Sequence, residues 1–185
     1  MLGHGTQLMS IFNVNHETFK TETYQTLLNK CSEIIKANKF LTGSLKVCSV
    51  NKQTYLEVDT NTDDLVFNKR VKNYIHEDVV DELVFDTNVS YTEKSEILSK
   101  YNIPPADPAR ISQQTANTDD NKFQNSPLFG IYLLRDHEKI EKSKKLIIIF
   151  SLMHLIGDGR TIFNLFKGPS CTWIIAQIYV CPFFS

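Results

Sequence analysis

This 185-residue chain has no excess of charge of either sign: 20 Lys and Arg stand against 21 Asp and Glu, a formal net charge of −1. Nonspecific nucleic-acid binding needs a basic surface, so that class of partner is not expected. Cysteine is scarce and scattered. Cys31, Cys48, Cys171 and Cys181 form no CxxC pair, a poor basis for zinc or a disulfide framework and a pointer to a reducing compartment. The first ten residues carry neither a basic stretch nor a long apolar run, so no secretory signal is expected and the chain reads as cytoplasmic. Phosphate-loop, GxGxxG and GxSxG signatures are all missing, which leaves Ser112, Ser126 and Ser151 without the setting of a hydrolase nucleophile. His4, His16, His76 and His137 lie in polar or turn-like contexts at no metal-ligand spacing. They read as surface residues, with no metal and no permanently bound cofactor expected.

What remains is ordinary for a folded domain: 42% hydrophobic and 22% charged residues, enough chain for one substantial core or parts of two. The pattern alternates between strands and helices and predicts an α/β fold. Residues 8–14 read as a strand. Tyr24, Leu27, Leu28, Cys31, Ile34 and Ile35 then recur at helical spacing, so one face of a helix is apolar, and Gly43 is a reasonable turn after it. Residues 44–50 and 53–59 alternate about Asn51-Lys52 and predict a hairpin. Residues 65–67 and 83–85 read as short strands around an acidic segment from His76 to Glu82. Thr92 to Tyr101 reads as a helix capped by Thr92, with Glu93 and Glu96 near its positive end. Residues 102–126, with Pro104, Pro105 and Pro108 and few apolar anchors, read as a long loop. Strands are expected at 128–136 and 145–152, joined by a solvated charged turn.

The second of these strands leads to the most informative stretch. Residues 145–152 are almost continuously apolar and β-branched, as in a strand covered on both faces. His154, Leu155, Ile156, Gly157, Asp158 and Gly159 follow at once, and then an amphipathic helix from Arg160 to Lys167. Glycines 157 and 159 allow a tight turn with unusual backbone angles, and Asp158 is a good helix cap. A histidine between a rigid strand and a helix start can be aimed, and its ordinary pKa near ~6.5 suits proton transfer around neutrality. The plainer reading of His154 is a strand-end residue that is merely hydrogen-bonded.

His154, Asp158 and Gly159, with the strand before them, resemble the HHxxxDG motif of the chloramphenicol acetyltransferase-like superfamily. That group includes CoA-dependent acyltransferases, alcohol O-acetyltransferases and condensation domains. The family's first histidine is Met153 here. Ser126 to Leu134 resembles the strand that precedes the motif in the family.

The resemblance implies a mixed β-sheet with flanking helices, like the N-terminal subdomain of such an enzyme, over residues 1–167. It implies His154 as general base, Asp158 as structural support pairing with an arginine (Arg110, Arg135 and Arg160 are the alternatives), and Gly159 as a residue of loop geometry. Acyl-CoA is the implied co-substrate and a small alcohol or amine the acceptor. Complete members have a second, similar half that contributes to the active-site tunnel, so the rival expectation is a non-catalytic, truncated relative that at most binds a protein partner; a functional half-domain would instead restore its tunnel wall by dimerising. Residues 168–185 are nearly uncharged and mostly apolar. They read as a terminal strand, a weakly membrane-associating tail, or sequence outside the original reading frame, the last favoured because the family pattern stops at Lys167.

Overall fold

The computed structural model describes residues 5–15, 17–48, 50–51, 53–58, 64–80, 86, 88–101, 128–153 and 156–167. Their architecture is α/β. A mixed four-stranded sheet is formed by β1 (Gly5–Asn13), β4 (Ile75–Val79), β5 (Phe129–Arg135) and β6 (Lys145–Met153), in the spatial order β1-β6-β5-β4. β6 runs antiparallel to both neighbours, and β4 joins β5 in parallel. β2 (Ser44–Val47) and β3 (Thr54–Glu57) form a separate antiparallel hairpin. Four helices flank these strands: α1 (Thr21–Ala37), α2 (Asp64–Val71), α3 (Tyr91–Leu98) and α4 (Gly159–Lys167).

The period of two along β5 and β6 sorts the core into two faces. Phe129, Ile131 and Leu133 share the first face with Leu146, Ile148, Phe150 and Leu152, where they join Tyr24, Leu27, Cys31, Ile34 and Ile35 of α1 and Ile162 and Leu165 of α4. Burying each large apolar side chain is worth about 1.5–3 kcal/mol, so this layer is the main source of stability. On the second face Leu134, Ile147 and Ile149 meet Val80, Leu98 and Tyr101 at the α3 end. At the other end Leu128 and Met153 meet Leu45 and Leu56 of the hairpin. Every residue of β6 from Leu146 to Met153 is buried, which accounts for its unbroken apolar sequence.

Four expectations need correction. Residues 65–67 are helical, in α2, because Phe67 and Val71, one turn apart, both face the core while Leu65 is 80% exposed. The acidic segment starting at His76 is largely strand β4, held by its ladder to β5 rather than by its own apolar pattern. Ser90, not Thr92, caps α3: its hydroxyl accepts from Glu93 N at 3.3 Å and donates to the Glu93 carboxylate at 2.8 Å, and its backbone N–H also reaches that carboxylate. Gly43 sits after a short 3-10 turn at Lys39–Thr42 and has extended backbone; a Cβ there would come within 2.7 Å of Leu56 Cδ1, so the residue answers a need for space. The predicted strand at 83–85, the loop at 102–126 and the tail at 168–185 lie outside the described residues.

Candidate functional site

The connection from β6 to α4 is tied at both ends. Met153 N donates to Leu128 O at 2.8 Å, and Ile156 N donates back to Met153 O at 3.0 Å. Ile156 bridges the first-face core and the hairpin cluster of Leu45, Leu56, Leu128 and Met153. His154, covalently next to Met153, and Leu155 lie outside the described residues.

Asp158 precedes the first residue of α4 and caps it. Its carboxylate accepts from Thr161 N at 2.9 Å and from the Thr161 hydroxyl at 3.0 Å, while Ile162 N donates to its carbonyl at 3.1 Å. The bonds from the Thr161 backbone, then its hydroxyl, hold the Asp158 pKa below the ordinary carboxylate value. Asp158 is therefore charged near neutrality and belongs to the helix start. Gly159 is the first residue of that helix.

Gly157 answers a steric demand. A Cβ there would lie 2.7 Å from Leu152 Cδ2 and 2.8 Å from Thr161 Cγ2, and its φ is outside the left-handed region. The unusual backbone angle expected at this glycine is absent; what the site requires is close approach between the end of β6 and the first turn of α4.

Of the three arginines considered for Asp158, Arg135 is excluded. It lies at the opposite end of β5, six residues from Phe129, roughly 20 Å along the strand. Its guanidinium donates to the carbonyls of His137 at 3.3 Å and Glu138 at 2.8 Å and lies over the Tyr24 ring at 5.1 Å. Arg110 lies outside the described residues. Arg160 is exposed in the first turn of α4.

Two of the histidines expected at the surface are partly buried. His137 is partly buried, and its Nδ1 accepts from Lys139 N at 2.9 Å within the β5–β6 turn. His76 is half-buried in β4 and stacks on Tyr132 of β5, with ring centroids 4.8 Å apart and planes at 21°. Burial lowers the His76 pKa and raises that of Tyr132. Tyr101 leans on Tyr132 at 5.5 Å and donates to Asp78 Oδ2 at 2.6 Å. His4 and His16 lie outside the described residues.

Thus the second face carries a mixed band: His76 stacks on Tyr132, which packs against the cluster at the α3 end, and Gly130 and the buried Ser151 separate that cluster from the one at the hairpin. Sequence reasoning missed this band; the one visible signal was a tyrosine two residues after a glycine in an otherwise apolar strand. No group of three metal-binding side chains, and no helix long and apolar enough to cross a membrane, occurs among the described residues.

No family model and no curated protein matches the chain. Solved structures do. A trichothecene 15-O-acetyltransferase from Fusarium sporotrichioides aligns with 90% of this chain and 30% of its own, at 12% identity and a TM-score of 0.53. A condensation domain of the enacyloxin polyketide synthase aligns with 98% of this chain and 27% of its own (8% identity, TM-score 0.48). TRI101 of F. sporotrichioides, complexed with coenzyme A and T-2, aligns with 92% and 38% (12% identity, TM-score 0.46). At such identities the likeness, carried by the first of these, is one of fold: the described residues share the α/β fold of part of that 15-O-acetyltransferase. It spans about a third of the length of these structures.

Proposed function

We propose that this chain serves a CoA-dependent acyltransferase activity, moving an acyl group from a thioester to an alcohol or amine, with His154 as general base. The observation that carries this reading is the setting of His154-x-x-x-Asp158-Gly159. The motif spans the junction of a fully buried strand and a capped helix, in a chain whose fold matches an acetyltransferase.

In this mechanism the His154 imidazole takes the acceptor's O–H or N–H proton as the heteroatom attacks the thioester carbonyl. Collapse of the tetrahedral intermediate expels the CoA thiolate, which recovers the proton from the imidazolium. General-base assistance of this kind contributes about 10²–10⁴-fold. Asp158 acts through structure: charged and bound to Thr161, it fixes where α4 begins. Gly157 lets that helix close on β6. No permanently bound cofactor is invoked; acyl-CoA is a substrate, and the proposed location is cytoplasmic.

The test is CoA release from acetyl-CoA in the presence of alcohol acceptors, with His154→Ala alongside. The expected loss in kcat is about 10²–10⁴-fold with the folded state intact, whereas activity surviving the substitution would remove His154 from the chemistry. The alternative reading is a non-catalytic chain that acts at most as a protein-binding module. Acyl transfer that vanishes in His154→Ala excludes it, and a folded wild-type chain that transfers to no alcohol or amine favours it.

A further inference from the structure

We infer that β1 is a self-association edge: two copies of this chain pair antiparallel through their β1 strands and join their four-stranded sheets into one. The inference does not depend on the acyltransferase reading.

β1 closes one side of the sheet, with β6 as its one neighbour among the described residues. Which way its backbone groups point follows from the ladder. Val14 N donates to Lys144 O, and on the far side of β6 Met153 N donates to Leu128 O. Bonds in an antiparallel ladder alternate. Even-numbered residues of β1 therefore bond to β6, while the N–H and C=O groups of residues 7, 9, 11 and 13 point outward. Among the described residues these outward groups make no hydrogen bond.

Sheet edges are ordinarily shielded by charge, proline or a bulge. Gly5–Asn13 has no charged residue and no proline, and its nine residues pair with β6 without a break in register. Met9 and Ile11, 37% and 45% exposed, stand beside Ile149 and Ile147 on the second face. Solvent thus meets both a free ladder and an apolar row.

The strand complements itself. Its outward residues are all odd-numbered, so two antiparallel copies can exchange bonds. The register that sets Met9 opposite Ile11 of the second copy also sets Ile11 opposite its Met9. Sliding by one bonded pair in either direction puts Gln7 or Asn13 in one of those places. In the favoured register an apolar row runs from Ile147 through Ile11 and the second copy's Met9 to its Ile149. The two-fold axis passes between the Ser10 residues. Such self-matching about a two-fold is what an isologous dimer requires, and it selects a second copy over a foreign strand.

Proline tests the edge, because at an outward position it removes a donor without touching the ladder to β6. The wild-type full chain should sediment as a dimer that dissociates on dilution. Ile11→Pro should raise the dissociation constant at least about tenfold, since two intermolecular hydrogen bonds are lost per dimer, with the far-UV circular dichroism unchanged. Ile11→Lys, which leaves every backbone bond in place, should weaken the dimer as well and decides the matter if the proline variant misfolds. Under mild oxidant Ser10→Cys should give a covalent dimer above the background of the native cysteines, because residue 10 meets its own copy across a non-hydrogen-bonded pair about 4.5 Å apart. Met9→Cys should not. A chain monomeric at every concentration overturns the inference, which is the result expected if a strand of a different protein takes this edge. A dimer that neither substitution at Ile11 weakens associates through another surface and overturns it too. A dimer that Ser10→Cys fails to cross-link overturns the register.

Discussion

The two faces of the central sheet are built from alternate residues of the same strands, yet they differ in kind. The first is apolar without interruption from Phe129 to Leu133 and from Leu146 to Leu152, sealed by α1 and α4. The second is divided: an apolar cluster under α3, another under the β2–β3 hairpin, and polar groups, His76 and Ser151, set among them. A face committed wholly to burial has no group to spare for a ligand. The second face admits polar groups into its layer: His76 stacks on Tyr132, which packs against the α3-end cluster, and Ser151 is fully buried.

This contrast makes graded predictions. Phe150→Ala on the first face removes a side chain only 2% exposed and should cost about 3–5 kcal/mol, read as a lower urea midpoint; a loss under 1 kcal/mol would erase the distinction between the faces. Gly157→Ala should cost about 1–3 kcal/mol by overpacking, since Leu152 is fully buried and Thr161 is tethered to Asp158. Retained wild-type stability would show that the junction of β6 and α4 yields easily. Ser90→Ala breaks the capping box of α3 and should cost about 1 kcal/mol, with near-UV signals of Tyr101 and Tyr132 changing because α3 and the turn after it cover that end of the second face.

The smallest effect is a pH dependence. Burial places the folded-state pKa of His76 below its unfolded value near ~6.5, so its neutral form favours the folded state. That contribution is complete above about pH 6.5 and is lost as the pH falls through the folded pKa. His76→Gln should flatten this part of the stability profile, and an identical profile in the variant would show that His76 contributes nothing to it.

Elements whose burial is written into their own sequence were legible. β6, β5, the apolar stripe of α1 and the amphipathic α4 all carry their period plainly. β4 was not, because Ile75-His-Glu-Asp-Val79 becomes a strand through pairing with β5, a partner more than fifty residues away. Leu65-Val-Phe67 is too short for its period to distinguish helix from strand. The Ser90–Glu93 box has the S-x-x-E spacing of a helix start, but Thr92 inside it is an equally good capping residue by type, so spacing alone does not choose between them. At the site, the sequence pointed to Asp158 as a cap, and the carboxylate does bind Thr161. It could not reveal the stack of His76 on Tyr132, which exists only because two distant strands lie in register.

The register of β1 against β6 joins Gly5 to Met153 and Asn13 to Lys145. The connection between β5 and β6 spans only residues 136–144, so these two strands can find each other early, whereas β1 must wait until nearly all of the intervening chain has been made. Loop closure over such a distance is entropically slow. During synthesis on the ribosome the first strand is thus left as an unpaired ribbon, with Met9 and Ile11 on one side and Phe12 on the other. For that interval the fold itself gives the strand no protection from aggregation.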